Sequence, residues 1–154
     1  MGRYKLTLEY DGRGFVGWQR QDSGPSIQQA LEEAITAFSG ETVVPMGAGR
    51  TDAGVHALGQ AAHVDLAREW PPDEIMGALN HHLQPNLIAV LSVEAVDDDF
   101  HARFSARERA YRYRIVNRRG RLALEEGRAW WIGPTLDVAA MDEALGHVRY
   151  AHPH

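Results

Sequence analysis

Residues 3–10 alternate strictly, with Tyr4, Leu6, Leu8 and Tyr10 on one side and Arg3, Lys5, Thr7 and Glu9 on the other. A period of two is the mark of a half-buried strand, and the "DGRG" that follows is turn chemistry. The period then changes. In "SIQQALEEAITAFSG", Ser26 and Gln29 stand at capping-box spacing, Ile27, Leu31, Ala34, Ile35 and Phe38 share one helical face, and Gly40 stops the run. A helix is predicted there. "TVVPMG" predicts a short strand and residues 57–66, "ALGQAAHVDL", another, which makes the stretch between them a loop. "PPDEIMGALNHHL" carries Pro, Asp and Glu in its first turn and Ile75, Leu79 and Leu83 at four-residue spacing, predicting a second helix; "NLIAVLSVEAV" follows as a buried strand.

Alternation returns over residues 109–116, with Arg109, Tyr111, Tyr113 and Ile115 on one face and Ala110, Arg112, Arg114 and Val116 on the other. "RAWWIG" reads as a partner strand and "DVAAMDEALGHVRY" as a last helix. The order strand, helix, strand, strand, helix, strand, strand, strand, helix predicts an α+β layer with a largely antiparallel sheet.

The chain has 154 residues, 44% hydrophobic and 24% charged, the composition of a folded globular domain. It contains no cysteine, so disulfides, thiolate zinc sites and a cysteine nucleophile are excluded, and a reducing cytoplasm is the compatible compartment. The first residues alternate where a signal peptide needs an unbroken apolar run, and no stretch is long enough to span a bilayer.

Charge changes the picture through its distribution. The net charge is −5, yet residues 101–121, "HARFSARERAYRYRIVNRRGR", hold eight arginines against Glu108 alone, a local balance of +7 that leaves −12 for the remainder. A concentrated basic strip on an acidic body attracts phosphate, and arginine grips it with a planar fork. Phe104, Tyr111 and Tyr113 are interleaved with those arginines, a composition suited to stacking bases. The plainer alternative makes Tyr111, Tyr113 and Ile115 the core face of an amphipathic strand.

"GAGRTDAGVHALGQ", residues 47–60, places charges among four glycines. A dinucleotide fingerprint needs its third glycine where Asp52 stands, and the Gly-Lys-Ser/Thr of a Walker loop never occurs, so no nucleotide cofactor is expected. Asp52 is either a turn aspartate bonding backbone N–H groups or a carboxylate nucleophile or base on a loop that permits close approach of a substrate, with Arg50 near enough to pair with it. His56, His63, His81, His82 and His101 show no metal-ligand spacing, and "DDD" at 97–99 reads as a solvated turn. No Gly-x-Ser-x-Gly elbow is present.

Four blocks together carry a resemblance. "YDGRGFVGWQRQ" at 10–21, "GRTDAGVHALGQ" at 49–60, "NHHLQPNL" and "FHARFSARERAYRYRI" stand in the order found in the tRNA pseudouridine synthase A family, which the chain resembles over residues 3–132. The resemblance implies a cofactor-free enzyme that isomerises uridine to pseudouridine in the anticodon stem-loop of tRNA, and no metal is expected. It also implies a pseudouridine synthase fold, a mostly antiparallel sheet with helices packed on one face, and a homodimer. By the same resemblance Asp52 is the catalytic aspartate, Arg50 contacts it and helps hold the flipped nucleotide, and Tyr111 stacks on the base and is a candidate for removing its C5 proton. His56, Gln60 and Asn80 are expected in the pocket, and Arg103, Arg107 and Arg109 on the RNA.

Family members continue beyond the point where this chain stops, and "ALGHVRYAHPH" departs from the family pattern. Residues 1–105 are therefore expected to form a ferredoxin-like half carrying the catalytic loop, and residues 106–154 the start of an incomplete second half. Two functions follow: an active synthase, or a catalytically silent tRNA-binding fragment. A small-molecule hydrolase using the aspartate is a third reading, and it predicts no salt-sensitive RNA affinity.

Overall fold

The structure is a computed structural model describing residues 1–151, with side chains described through Gly146. It divides into two compact units, Met1–Arg109 and Ala110 onward.

The first unit runs β1 (Gly2–Tyr10), α1 (Ile27–Ser39), β2 (Met46–Gly47), β3 (Ala57–Leu66), α2 (Pro72–Leu83) and β4 (Ile88–Val96). The strands lie in the order β2-β3-β1-β4, and every pairing is antiparallel. This is the split β-α-β of the ferredoxin-like arrangement. The strict alternation of β1 explains its central place. Tyr4, Leu6, Leu8 and Tyr10 are buried on one face, in register with Val64, Ala62 and Val90, also buried, on its neighbours.

Both helices pack on that face. α1 starts where Ser26, itself buried, accepts the Gln29 N–H at 3.0 Å, and ends at Gly40 in the left-handed conformation with φ 75°. Between these caps its apolar stripe delivers Ile27, Leu31, Ala34 and Ile35 to the core. α2 adds Ile75, Leu79 and Leu83, with Asp73 and Glu74 favourably placed at its positive end. One cluster from β1, β3, β4 and the two helices, closed by Trp18, is the core of this unit. Truncating a fully buried leucine such as Leu31 to alanine costs about 2–5 kcal/mol.

Register shifts interrupt both ladders of β1. Leu8 faces Gln60 while Tyr10 faces Ala57, and Thr7 faces Ser92 while Leu8 faces Val90. Each bulge puts an extra residue on the strand paired with β1, β3 in one case and β4 in the other. Leu58 and Leu91 fall at these places and are exposed.

In the second unit, β5 (Ile115–Asn117) pairs with β6 (Trp130–Ile132), and α3 (Val138–Ala151) follows. The predicted strand over 109–116 forms only from Ile115, and Arg109–Arg114 are irregular. Its pairing is parallel, which the intervening chain is long enough to allow as a crossover. The core-face reading of the tyrosines is overturned as well. Tyr111 and Tyr113 are 71% and 86% exposed, because alternation makes a buried face only where a neighbouring strand supplies one. Trp130 is also mostly exposed, whereas the Trp131 indole N–H donates to Arg118 O at 2.8 Å. The divergent C-terminal stretch noted in the sequence runs on into residues outside those described.

Candidate active site

The loop between β2 and β3, residues 48–56, is built against the segment that joins β1 to α1. Gly17 and Asp52 form an isolated antiparallel bridge, the Trp18 N–H donates to Thr51 O at 3.0 Å, and the Gly54 N–H to Phe15 O at 3.4 Å. At the end of β1 the Tyr10 hydroxyl lies 2.7 Å from Thr51 Oγ1. Burial pushes the Tyr10 phenol pKa up, and the bond to Thr51 opposes that shift.

Two glycines make this approach possible. A Cβ on Gly12 would stand 2.0 Å from Val55 O, and one on Gly17 2.4 Å from Thr51 O, where φ is also +117°. No other residue fits either position. Gly54 meets open space but has φ +78°, so within the loop it is the backbone conformation that calls for glycine. The close backbone approach is supplied by Gly12 and Gly17 of "DGRGFVG".

Further contacts fix both ends of the loop. His56 Nδ1 accepts the Gly12 N–H at 2.9 Å and stands 3.2 Å from Asp11 Oδ1. The Arg13 guanidinium, 2.7 Å from Asp11, holds that carboxyl well below the usual carboxylate range. Gln60 donates its side-chain amide to Gly49 O. Arg109 donates to Ala48 O through Nε at 3.2 Å and Nη2 at 2.9 Å.

Within this frame the Asp52 side chain is exposed and enters no hydrogen bond or ion pair among the described residues. The turn at 52–55 is closed by backbone instead, from the Val55 N–H to Asp52 O at 3.1 Å. A turn aspartate spends its carboxylate on backbone N–H groups. Asp52 does not, and its carboxylate is available.

Arg50 lies two residues away and is also exposed, but the expected Arg50–Asp52 ion pair is not formed among the described residues. Water solvates both charges, and an exposed pair gains too little to order two side chains.

The structure brings Arg50, Asp52, His56, Gln60 and Arg109 to one loop. Asn80 is committed elsewhere: its amide nitrogen donates to Val90 O at 3.0 Å and its oxygen accepts the Val90 N–H at 2.8 Å, bracing α2 against β4. Arg103 and Arg107 are exposed, and Arg103 lies over the Phe104 ring at 5.8 Å. Tyr111 belongs to the second unit.

Among the histidines, His63 is buried and its Nδ1 accepts the Ala102 N–H at 3.0 Å; burial pushes its pKa down. Among the described residues no cluster of three His, Cys, Asp or Glu side chains suits a metal ion, and no helix is long and apolar enough to cross a membrane. Sequence reasoning gave no site role to Tyr10, which it placed on the buried face of the first strand, nor to Thr51, Gly12 and Gly17; for the two glycines the local signal is the recurrence of glycine in "YDGRGFVGW".

A family model described as tRNA pseudouridine synthase matches residues 7–105, which include the loop and everything that holds it except Arg109. The tRNA pseudouridine synthase A of Rhodospirillum centenum is 65% identical over 152 residues, covering 99% of this chain and 62% of that protein. Proteins of the same name from Rhodospirillum rubrum and Paramagnetospirillum magneticum are 57% and 56% identical, with 52% and 59% of their lengths covered. The chain thus spans between about half and three-fifths of the length of these relatives. With well over half of its residues matched by the family model, the chain belongs to the tRNA pseudouridine synthase family.

Proposed function

We propose that this chain carries the catalytic half of a cytoplasmic, homodimeric enzyme that isomerises uridine to pseudouridine in the anticodon stem-loop of tRNA. The observation that carries this reading is the Asp52 carboxylate, exposed and without a partner among the described residues, on a loop whose backbone is pinned from both sides. Preorganisation of this kind lets a nucleophile meet its substrate without first reordering the chain.

In this reading a stem uridine leaves the stack, at a cost of a few kcal/mol that contacts from Arg103, Arg107 and the exposed aromatics offset. An Asp52 oxygen attacks the nucleoside, and the N1–C1′ bond breaks. The detached uracil turns and forms a C5–C1′ bond as the bond between the Asp52 oxygen and the nucleoside breaks, which frees the carboxylate. The proton lost from C5, with Tyr111 as its acceptor, is balanced by one gained at N1, so substrate and product are isomers. Arg50 and Gln60 hold the flipped nucleotide, and His56 shapes the pocket.

The exposed Arg103, Arg107 and Phe104 also fit a second reading, in which the chain binds tRNA without turnover. Incubating the chain with unmodified tRNA, followed by carbodiimide treatment and primer extension, separates the two. Pseudouridine formed by the native chain and lost in Asp52→Asn supports the first. Salt-sensitive binding without product, at protein concentrations equal to the tRNA, selects the second.

A further inference from the structure

Arg109 is one of the eight arginines that the sequence offers to phosphate and it stands at the surface, yet its guanidinium is spent on carbonyls of the protein itself. Nε and Nη2 both donate to Ala48 O, at 3.2 and 2.9 Å, and Nη2 also donates to Arg103 O at 3.0 Å. Ala48 is buried and its N–H is bonded to Ala61 O at 2.8 Å, so the clamp closes where the loop leaves β2, just ahead of Arg50 and Asp52. Bonds from a cation to a carbonyl are stronger than neutral ones, and a rigid fork directs two donors at one oxygen in a way that a lysine ammonium does not.

The rest of the strip sharpens the contrast. Arg114 is paired with Glu125 at 3.0 Å, and Arg118 bonds the carbonyls of Gly120 and Arg121. The guanidinium of Arg107 enters no hydrogen bond or ion pair among the described residues and is free to meet a phosphate.

We infer that Arg109 is a positioning residue, not a phosphate contact: its guanidinium joins the backbone of the RNA-gripping segment at Arg103 to the loop that presents Asp52. The role of Asp52 in this inference rests on the function proposed above, whereas the clamp rests on the three hydrogen bonds. A phosphate drawn to Arg103 then acts on a backbone that shares one cation with the catalytic loop.

Three variants of the full chain test this: Arg109→Lys, Arg109→Ala and Arg107→Ala. Amide hydrogen exchange at Ala48 and Val55 in the free protein reads the clamp directly. Arg109→Lys is expected to speed exchange there about tenfold, as much as Arg109→Ala does, because it retains the charge and loses the fork. The slope of log affinity for tRNA against log salt is expected to stay unchanged in both, whereas Arg107→Ala lowers it by about 0.7–0.9 and leaves loop exchange alone. In turnover, the Arg109 variants lower kcat with KM preserved.

The inference is overturned if Arg109→Lys exchanges like the native chain, or if Arg109→Ala lowers the salt slope as Arg107→Ala does. Should Arg109→Ala fail to fold by circular dichroism, the lysine variant decides. If the native chain shows no turnover, the proposed activity fails while the exchange and salt arms still judge the clamp.

Discussion

The Tyr10 hydroxyl and Thr51 Oγ1 are 2.7 Å apart, which ties the last residue of β1 to the residue before Asp52. Tyr10 is otherwise a core residue, 4% exposed, so a buried ring and a loop position are set by one side chain. Tyr10→Phe keeps the ring and removes the bond. The expected stability loss is about 1 kcal/mol in denaturant unfolding, with a larger proportional fall in single-turnover rate. A native rate in this variant would show that the loop is held without it.

Gly12 and Gly17 cannot accept a side chain. Alanine at either position drives a Cβ into a loop carbonyl, and at Gly17 the positive φ adds backbone strain. Each substitution is expected to cost about 1–3 kcal/mol or more, read as a fall in Tm. Gly59→Ala, where the added Cβ meets open space, is the matched control and should change Tm little.

Asn80 tests whether a polar residue in a recognisable block must touch RNA. Asn80→Ala leaves the Val90 N–H and carbonyl without their partner, and unfolding should be easier by about 1–3 kcal/mol. Affinity for tRNA at a fixed, stabilising temperature should keep its native salt slope. A reduced slope would return Asn80 to the RNA surface.

His63 carries a pH dependence. Burial, reinforced by Arg3 and His101 and opposed by Asp65, lowers its pKa from the ordinary 6.5. The unfolded chain therefore takes up a proton that the folded chain refuses. Stability is full above about pH 6.5 and is lost as pH falls through the lowered value. Unfolding followed from pH 8 to pH 5 should show this slope, and His63→Gln, which keeps an acceptor for the Ala102 N–H, should flatten it. An equal slope in the variant would assign the dependence to other groups.

Elements with their own complete local signals were legible in the chain. α1 carries its N-cap, its apolar stripe and its terminating glycine in one continuous stretch, and β1 its alternation, so each forms where its residues indicate. Residues 109–116 alternate just as clearly and do not form a strand until Ile115. Alternation prepares a face, but only a neighbouring strand can supply the hydrogen bonds and bury it.

The site divides along the same line. The order of chemistry-bearing residues in "GRTDAGVHALGQ", the absence of cysteine and of a nucleotide loop, and the arginine strip were all determined by the sequence itself, because residue type and spacing carry that information. Tertiary structure alone decided that the Asp52 carboxylate is left unspent among the described residues, that Asn80 braces Val90, and that Arg109 bonds Ala48. Those outcomes depend on contacts between residues from 10 to 61 positions apart. Which donor meets which acceptor over such separations is settled only when the sheet and helices have packed.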